Sequence, residues 1–249
     1  MDNSTLKNKL GTKVQALQES TEEINTSSTY LALNPNTLDI IRSNLKSQPL
    51  TYELFDVVKS PSGGSTVFSV PGLSGDEAEK ELYGIILDYT TPRAYWDSPD
   101  PVEGTPPACL SKNSIISEDG KACAHCPFND YGSKDGESNA KACKESALLF
   151  LLRPNNILPL LVRVPVTSKG RFLKYATRLL STLTPISSVV TKITLEKTTS
   201  KTGKPFALFN FEAVNKLSAE EAAQAKAFGQ QFMDIVNAAD MVPDLAEAS

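Results

Sequence analysis

Four cysteines, Cys109, Cys123, Cys126 and Cys143, are the only ones in the chain, and all fall within 35 of its 249 residues. Around them regular hydrophobic periodicity disappears. From Thr90 to Lys144 neither a helical nor a strand pattern holds, and Pro92, Pro99, Pro101, Pro106, Pro107 and Pro127 arrive among several glycines. A structureless loop of that length does not belong inside a compact domain. The cysteines resolve the conflict, because a bound ion can replace the apolar core that such a segment cannot build. Their spacing is C-x13-C-x2-C-x16-C. Two thiolates separated by two residues can turn about one ion, and the outer pair completes a tetrahedral shell. Zinc fits this donor set best. Four protein thiolates leave no position for water, so such a site stabilises a fold and does no chemistry. Two disulfides or an iron–sulfur cluster would use the same residues, although the spacing matches none of the standard ferredoxin runs. His125, the only histidine, stands between two of the candidate ligands and reads as a solvated loop residue or as a substitute for one of them.

With 40% apolar residues the chain can bury a core. No apolar run follows a basic start and none approaches a membrane span, so a cytoplasmic protein without a membrane partner is expected. Reduced thiols agree with that compartment.

The remaining chain alternates between strand-like and helix-like patterns. Residues 1–34 are polar and read as a flexible arm. Asn36 can cap a short helix that Pro49 prevents from continuing. Strands are expected at Thr51–Lys59 and Thr66–Val70, as a hairpin, and at Leu82–Tyr89. More follow the cysteine-rich insertion of about residues 90–145, at Ala147–Leu152 and Leu158–Val166. A helix from Arg171 to about Thr182 would carry Arg171, Lys174 and Arg178 on one face, with Leu173, Ala176 and Leu180 toward the core. Phe172 and Tyr175 also read as core. Two strands, Val189–Lys197 and Pro205–Val214, meet at a basic turn. A last helix opens with Ser218 and Glu221 as a capping box and runs to about Ala239. The fold class is therefore mostly β with added helices, α+β.

Charge is segregated along the chain. Between Arg163 and Lys204 nine cations face the single acid Glu196, whereas from Pro205 onward two lysines face seven acids. Catalytic signatures are missing: one histidine, no H-E-x-x-H, no G-x-S-x-G, no phosphate-binding glycine loop. Asp88, Asp97 and Asp100 could be imagined as a magnesium cluster of a nuclease, but the last two sit in a Pro-rich loop where acids make turns. A non-enzyme is expected.

Binding of unpaired nucleic acid needs cations for the phosphates and flat side chains for the bases. Both are present. Arg93, Tyr95 and Trp96 precede the cysteines, and Phe128 and Tyr131 lie among them. Lys169, Arg171, Lys174, Arg178, Lys192, Lys197, Lys201 and Lys204 follow.

The combination of Cys109, Cys-Ala-His-Cys-Pro-Phe-Asn and Cys143 interrupting a β region, a basic hairpin at Val189–Phe211 and an acid-rich end resembles phage-type single-stranded DNA-binding proteins. The resemblance covers about Leu50–Ser249. It implies an OB-like barrel over residues 35–239, a zinc-stabilised subdomain inserted in it, and sequence-tolerant single-stranded DNA binding in replication, recombination or repair. It also implies that the tail at 240–249, with Asp240, Asp244 and Glu247, recruits replication or recombination proteins. The helix-destabilising proteins of T-even phages use a histidine among their zinc ligands, whereas here four cysteines are available. The competing expectation is a zinc-stabilised protein-interaction or transcriptional adaptor module.

Overall fold

The computed structural model describes residues 30–34, 36–46, 48, 50–98, 105–136, 139–200 and 203–238. The expected arm at 1–29, Asp100, Lys201, and Asp240, Asp244 and Glu247 of the acidic tail lie outside the described residues.

Strand Ala147–Leu152 is buried at every position. Because successive side chains of a strand point to opposite faces, a run of six buried residues requires cover on both sides. Leu148, Phe150 and Leu152 enter one core and Ala147, Leu149 and Leu151 the other. The strands, in chain order, are β1 (Val57–Val58), β2 (Phe68–Val70), β3 (Glu77–Glu79), β4 (Glu81–Thr90), β5 (Arg93–Tyr95), β6 (Cys109–Ser111), β7 (Lys144–Glu145), β8 (Ala147–Leu152), β9 (Leu160–Val164), β10 (Val189–Thr199) and β11 (Pro205–Lys216). Helices α1 (Thr37–Leu45), α2 (Val166–Ser181) and α3 (Ala219–Ala238) complete the described elements of regular structure, apart from short 3-10 turns.

Six strands form the main sheet in the order β1-β9-β8-β4-β10-β11, antiparallel except for the β1–β9 pair. The class is α+β. The barrel expected from the resemblance is not closed among the described residues, since β1 and β11 stand at opposite ends of an open sheet. Helix α3 covers one face with Ala225, Phe228, Phe232, Met233 and Val236, joined there by Tyr30, Ala32, Leu33, Leu50 and Phe55. Tyr30, Ala32 and Leu33 thus belong to the core, which corrects the expected extent of the polar arm. The opposite face is covered by Phe172 and Tyr175 of α2 with Phe68 and Val70 of β2. No helix among the described residues is long and apolar enough to cross a membrane.

Local signals explain the ends of these elements. Ser218 and Glu221 form the reciprocal capping box, Glu221 N–H to Ser218 Oγ at 3.2 Å and Ser218 N–H to Glu221 Oε2 at 3.0 Å. Asn36 makes no side-chain cap; instead its N–H donates to Asn34 Oδ1 at 3.2 Å. Of the expected strand at Thr51–Lys59 only Val57–Val58 is formed, and the hairpin with Thr66–Val70 is replaced. β1 pairs in parallel with β9, while β2 pairs with β3. The turn at Ser62–Gly64 diverts the chain, because Gly63 and Gly64 take positive φ of 62° and 70°. A Cβ on Gly64 would lie 3.1 Å from Pro205 Cβ, so this turn docks against the β10–β11 hairpin.

Candidate nucleic-acid interface

Between β4 and β8 the cysteine-bearing excursion forms its own three-stranded sheet, ordered β6-β5-β7. Tyr95 pairs with Cys109 and Arg93 with Ser111 on one side; Arg93 pairs with Glu145 and Ala94 with Lys144 on the other. Alternation therefore puts Arg93, Tyr95, Cys109, Ser111 and Glu145 on one face. Ala94 and Leu110 form a small buried cluster on the other, with Trp96 packed against it.

Cys123 and Cys126 lie at two consecutive short turns, Cys123–His125 and Pro127–Asn129. Cys126 N–H donates to Cys123 O at 3.4 Å, Cys123 N–H to Ile115 O at 2.9 Å, and Cys143 N–H to Phe128 O at 2.8 Å. The Asn129 amide fixes the same turn by donating to Cys123 O at 2.9 Å. None of the four cysteines is in a disulfide. Burial pushes the Cys143 thiol up to about 12, with Arg93 opposing and Cys126, Cys109 and Cys123 adding to the rise. Burial also raises Cys109, followed by Asp119, Cys126 and Cys123. Cys143 feels the other three thiols and Cys109 feels Cys126 and Cys123, so the fold brings the four into one neighbourhood.

Even so, no group of three or more His, Cys, Asp or Glu side chains among the described residues is drawn in closely enough to hold an ion. Protonated thiols have little mutual attraction, and bonds of about 2.3 Å form only when a metal replaces the protons. What fits a metal here is the donor set and a buried cation beside it. Arg93 is 9% exposed, and its Nε and Nη1 hydrogen-bond to nothing among the described residues. Glu145 answers one side of this guanidinium, and the two unmet nitrogens leave room for a further acceptor or anion. His125 is exposed.

At the end of β5 the aromatic residues gather. The rings of Tyr95 and Phe128 stack with centroids 3.9 Å apart and planes 11° from parallel. Together with Trp96, Asp97, Lys134 and Lys144 they line a cleft of about 260 Å³. Trp96 Nε1 donates to Thr105 O at 2.9 Å, which holds the indole half-buried at the rim. Phe128 is 40% exposed and Tyr131 78%, the latter with Lys141 Nζ 4.4 Å above its ring.

The expected phosphate contacts fare unevenly. Arg93 is spent inside the sheet, its Nη2 2.6 Å from Glu145, so the expectation that it meets a phosphate backbone is corrected. Lys169 is drawn to the same carboxylate at 2.6 Å. Arg171 pairs with Glu196 at 2.8 Å and Lys192 with Glu212 at 2.9 Å. Lys174, Arg178, Lys197 and Lys204 are exposed. On α2 the core stripe consists of Ser168, Phe172 and Tyr175, while Leu180 is exposed, because the two rings fill the space beside Phe211 of β11. Lys134 and Lys144, which the sequence pattern did not single out, flank the aromatic cleft. The available signal for Lys144 was its position directly after Cys143. Asp88 lies on β4 and Asp97 after β5, and they join no ligand cluster among the described residues.

Comparison with protein-family models, with curated proteins and with solved structures found no match.

Proposed function

We propose that the chain binds single-stranded DNA through the cleft at the end of β5, without catalysis, and that zinc held by Cys109, Cys123, Cys126 and Cys143 stabilises the inserted excursion. The carrying observation is the convergence of Tyr95, Trp96 and Phe128 on a 260 Å³ cleft edged by Lys134 and Lys144. Flat rings offer stacking surfaces that every base can use, and the two ammonium groups supply charge for phosphates, so binding is tolerant of sequence. Lys174, Arg178, Lys197 and Lys204 are further exposed cations that a longer strand could reach. The binding surface on this reading is the cleft, and an OB-like barrel is not needed for it. Replication, recombination or repair in the cytoplasm would supply exposed single strands, and the acidic segment at Asp240, Asp244 and Glu247 would compete with DNA for the cations and, once displaced, meet partner proteins.

Labelled dT oligomers, titrated by fluorescence anisotropy across a salt series and followed in parallel by Trp96 emission, test the reading. Affinity should fall steeply with salt, single strands should outcompete duplex, and Trp96 emission should change on binding. Absence of binding in dilute buffer, or equal affinity for duplex, would overturn it.

A further inference from the structure

Arg93, Glu145 and Lys169 form a compact charge group between the small sheet and the first turn of α2. Glu145 accepts from Arg93 Nη2 through Oε2 and from Lys169 Nζ through Oε1, both at 2.6 Å. The three side chains are 10%, 23% and 19% exposed. Two cations share one anion, which leaves a net single positive charge in a largely desolvated place. Arg93 also keeps two nitrogens, Nε and Nη1, with no hydrogen-bond partner among the described residues. The one positive charge that Glu145 does not balance is unfavourable in such a place unless a second anion sits beside it.

The register says where that anion would be. Arg93 opposes Glu145 and Ala94 opposes Lys144, and Cys143 stands at the bend that enters this strand, two residues before the partner of Arg93. Across β5, Cys109 opposes Tyr95 on the face that Arg93 shares. The pull of Arg93 toward the charged form of Cys143 agrees with this placement. At the outer rim the Lys121–Asp119 pair lies near Cys109, its cation and anion offsetting each other.

We infer that Arg93 is a built-in counter-ion for a doubly negative metal tetrathiolate, so that a soft or borderline divalent ion is held by all four cysteines and not by three cysteines and His125. The inference rests on the metal reading proposed above. On binding, four S–H bonds break, four metal–sulfur bonds form and four protons leave for the solvent. The ion and four thiolates carry a charge of minus two, which the single net positive charge of the Arg93–Glu145–Lys169 group partly offsets. With His125 as a neutral ligand the centre would carry only minus one, and the buried guanidinium would face a weaker partner. The first turn of α2 is tied to the same carboxylate through Lys169, so the counter-ion also anchors the excursion to the main body. Arg93 is here a positioning residue: it touches no substrate.

Metal binding of the full-length protein decides this. Cobalt(II) titration of the wild type should give thiolate charge-transfer bands of a four-sulfur site, and zinc binding in weak buffer should release about four protons, one per ligand thiol. Arg93→Gln should weaken zinc affinity, measured against a chromophoric chelator, by about 10- to 100-fold, as other outer-shell partners of metal ligands do. Arg93→Lys should recover part of that loss, and His125→Ala should change neither affinity nor spectrum. Release of about three protons, a sulfur–nitrogen spectrum lost in His125→Ala, or unchanged affinity in Arg93→Gln would overturn the inference, as would a wild type that takes up no metal. Proton release is read on the wild type, so the question stays decidable if Arg93→Gln does not fold. Failure to bind dT oligomers with metal in place would sink the nucleic-acid reading alone.

Discussion

Replacing Phe128 with alanine should weaken oligo-dT binding without altering its salt dependence. Phe128 carries one side of the aromatic cleft, and its outer surface is 40% exposed, so little of the folded core depends on it. Stacking of one base on an aromatic ring is worth about 1–3 kcal/mol, which is roughly a 5- to 150-fold loss of affinity. Some of that loss comes from the protein itself. Phe128 stacks on Tyr95 at 3.9 Å, and an aromatic pair contributes about 0.5–1.5 kcal/mol toward holding both rings in place. No cation is removed, so the slope of log affinity against log salt should stay that of the wild type. Lys134→Ala and Lys144→Ala should behave in the opposite way, each reducing the slope by about 0.7 if it neutralises one phosphate of a single strand. Anisotropy titrations of the three variants with the same dT oligomer, repeated over a salt series, separate the two effects. If Phe128→Ala binds like the wild type, or if only Lys174, Arg178, Lys197 and Lys204 matter, the strand does not pass through this cleft and the stacking argument is wrong.

Other consequences follow from packing and burial. A methyl group on Gly84 would lie 2.4 Å from Leu152 O and 2.8 Å from Leu151 Cγ, so Gly84→Ala should force β4 away from β8. A loss of about 1–3 kcal/mol is expected, read as a lowered thermal midpoint; an unchanged midpoint would mean the strands are not this close. Phe232 is fully buried between Phe55, Phe150 and Phe228, and truncation to alanine should remove about 3–5 kcal/mol in a denaturant titration. Burial, then the charge of Glu221, pushes the Tyr30 hydroxyl from 10.0 up to about 12. The folded state therefore holds this proton more tightly than the unfolded chain, and the stability it contributes is complete below pH 10 and lost as pH rises toward 12. Tyr30→Phe should extend the alkaline limit of the fold in a circular-dichroism titration, and identical alkaline midpoints would contradict the burial of Tyr30.

What the sequence shows well is what is decided locally. Ala147–Leu152 announces a strand because six consecutive apolar, mostly large residues need partners on both faces, and the structure buries every one. Ser218 and Glu221 announce the last helix because their exchange of hydrogen bonds involves only the first turn. Sheet order is different. The parallel pairing of Val57 with Leu161 and the juxtaposition of Thr90 with Leu148 across the whole excursion depend on contacts that periodicity does not encode. The expected OB-like barrel, by contrast, is not borne by these strands: β8 and β9 are buried at every position, whereas a barrel wetted outside needs polar residues at alternate positions. At the candidate site Tyr95, Trp96 and Phe128 are recognisable as residue types, but the sequence alone suggests a phosphate contact for Arg93. Whether a cation is solvated or enclosed depends on its neighbours, and Glu145 lies 52 residues away. For the same reason Lys134 carries no local signal, and Lys144 only its place after Cys143.

The excursion ties the four thiols to the cleft by short paths, and this has a measurable consequence. Phe128 follows Cys126 by two residues, its carbonyl receives the Cys143 N–H, and Tyr95, its stacking partner, opposes Cys109. Three of the four proposed ligands therefore fix the two rings. The main sheet shares fewer links with the cysteines: Ser146 N–H to Pro92 O at 3.1 Å and Ser114 Oγ to Thr91 O at 2.6 Å close the excursion where it leaves β4 and enters β8. On the proposed zinc reading, treatment with a strong chelator should accordingly separate two properties. Oligo-dT affinity should fall by at least as much as Phe128→Ala causes, because both rings lose their supports, while the thermal transition of the main sheet, buried between α2 and α3, should persist. Metal-free protein that binds oligo-dT as tightly as the loaded form would show that the aromatic pair is held by the surrounding hydrogen bonds alone, and that the cysteines stabilise something other than the cleft.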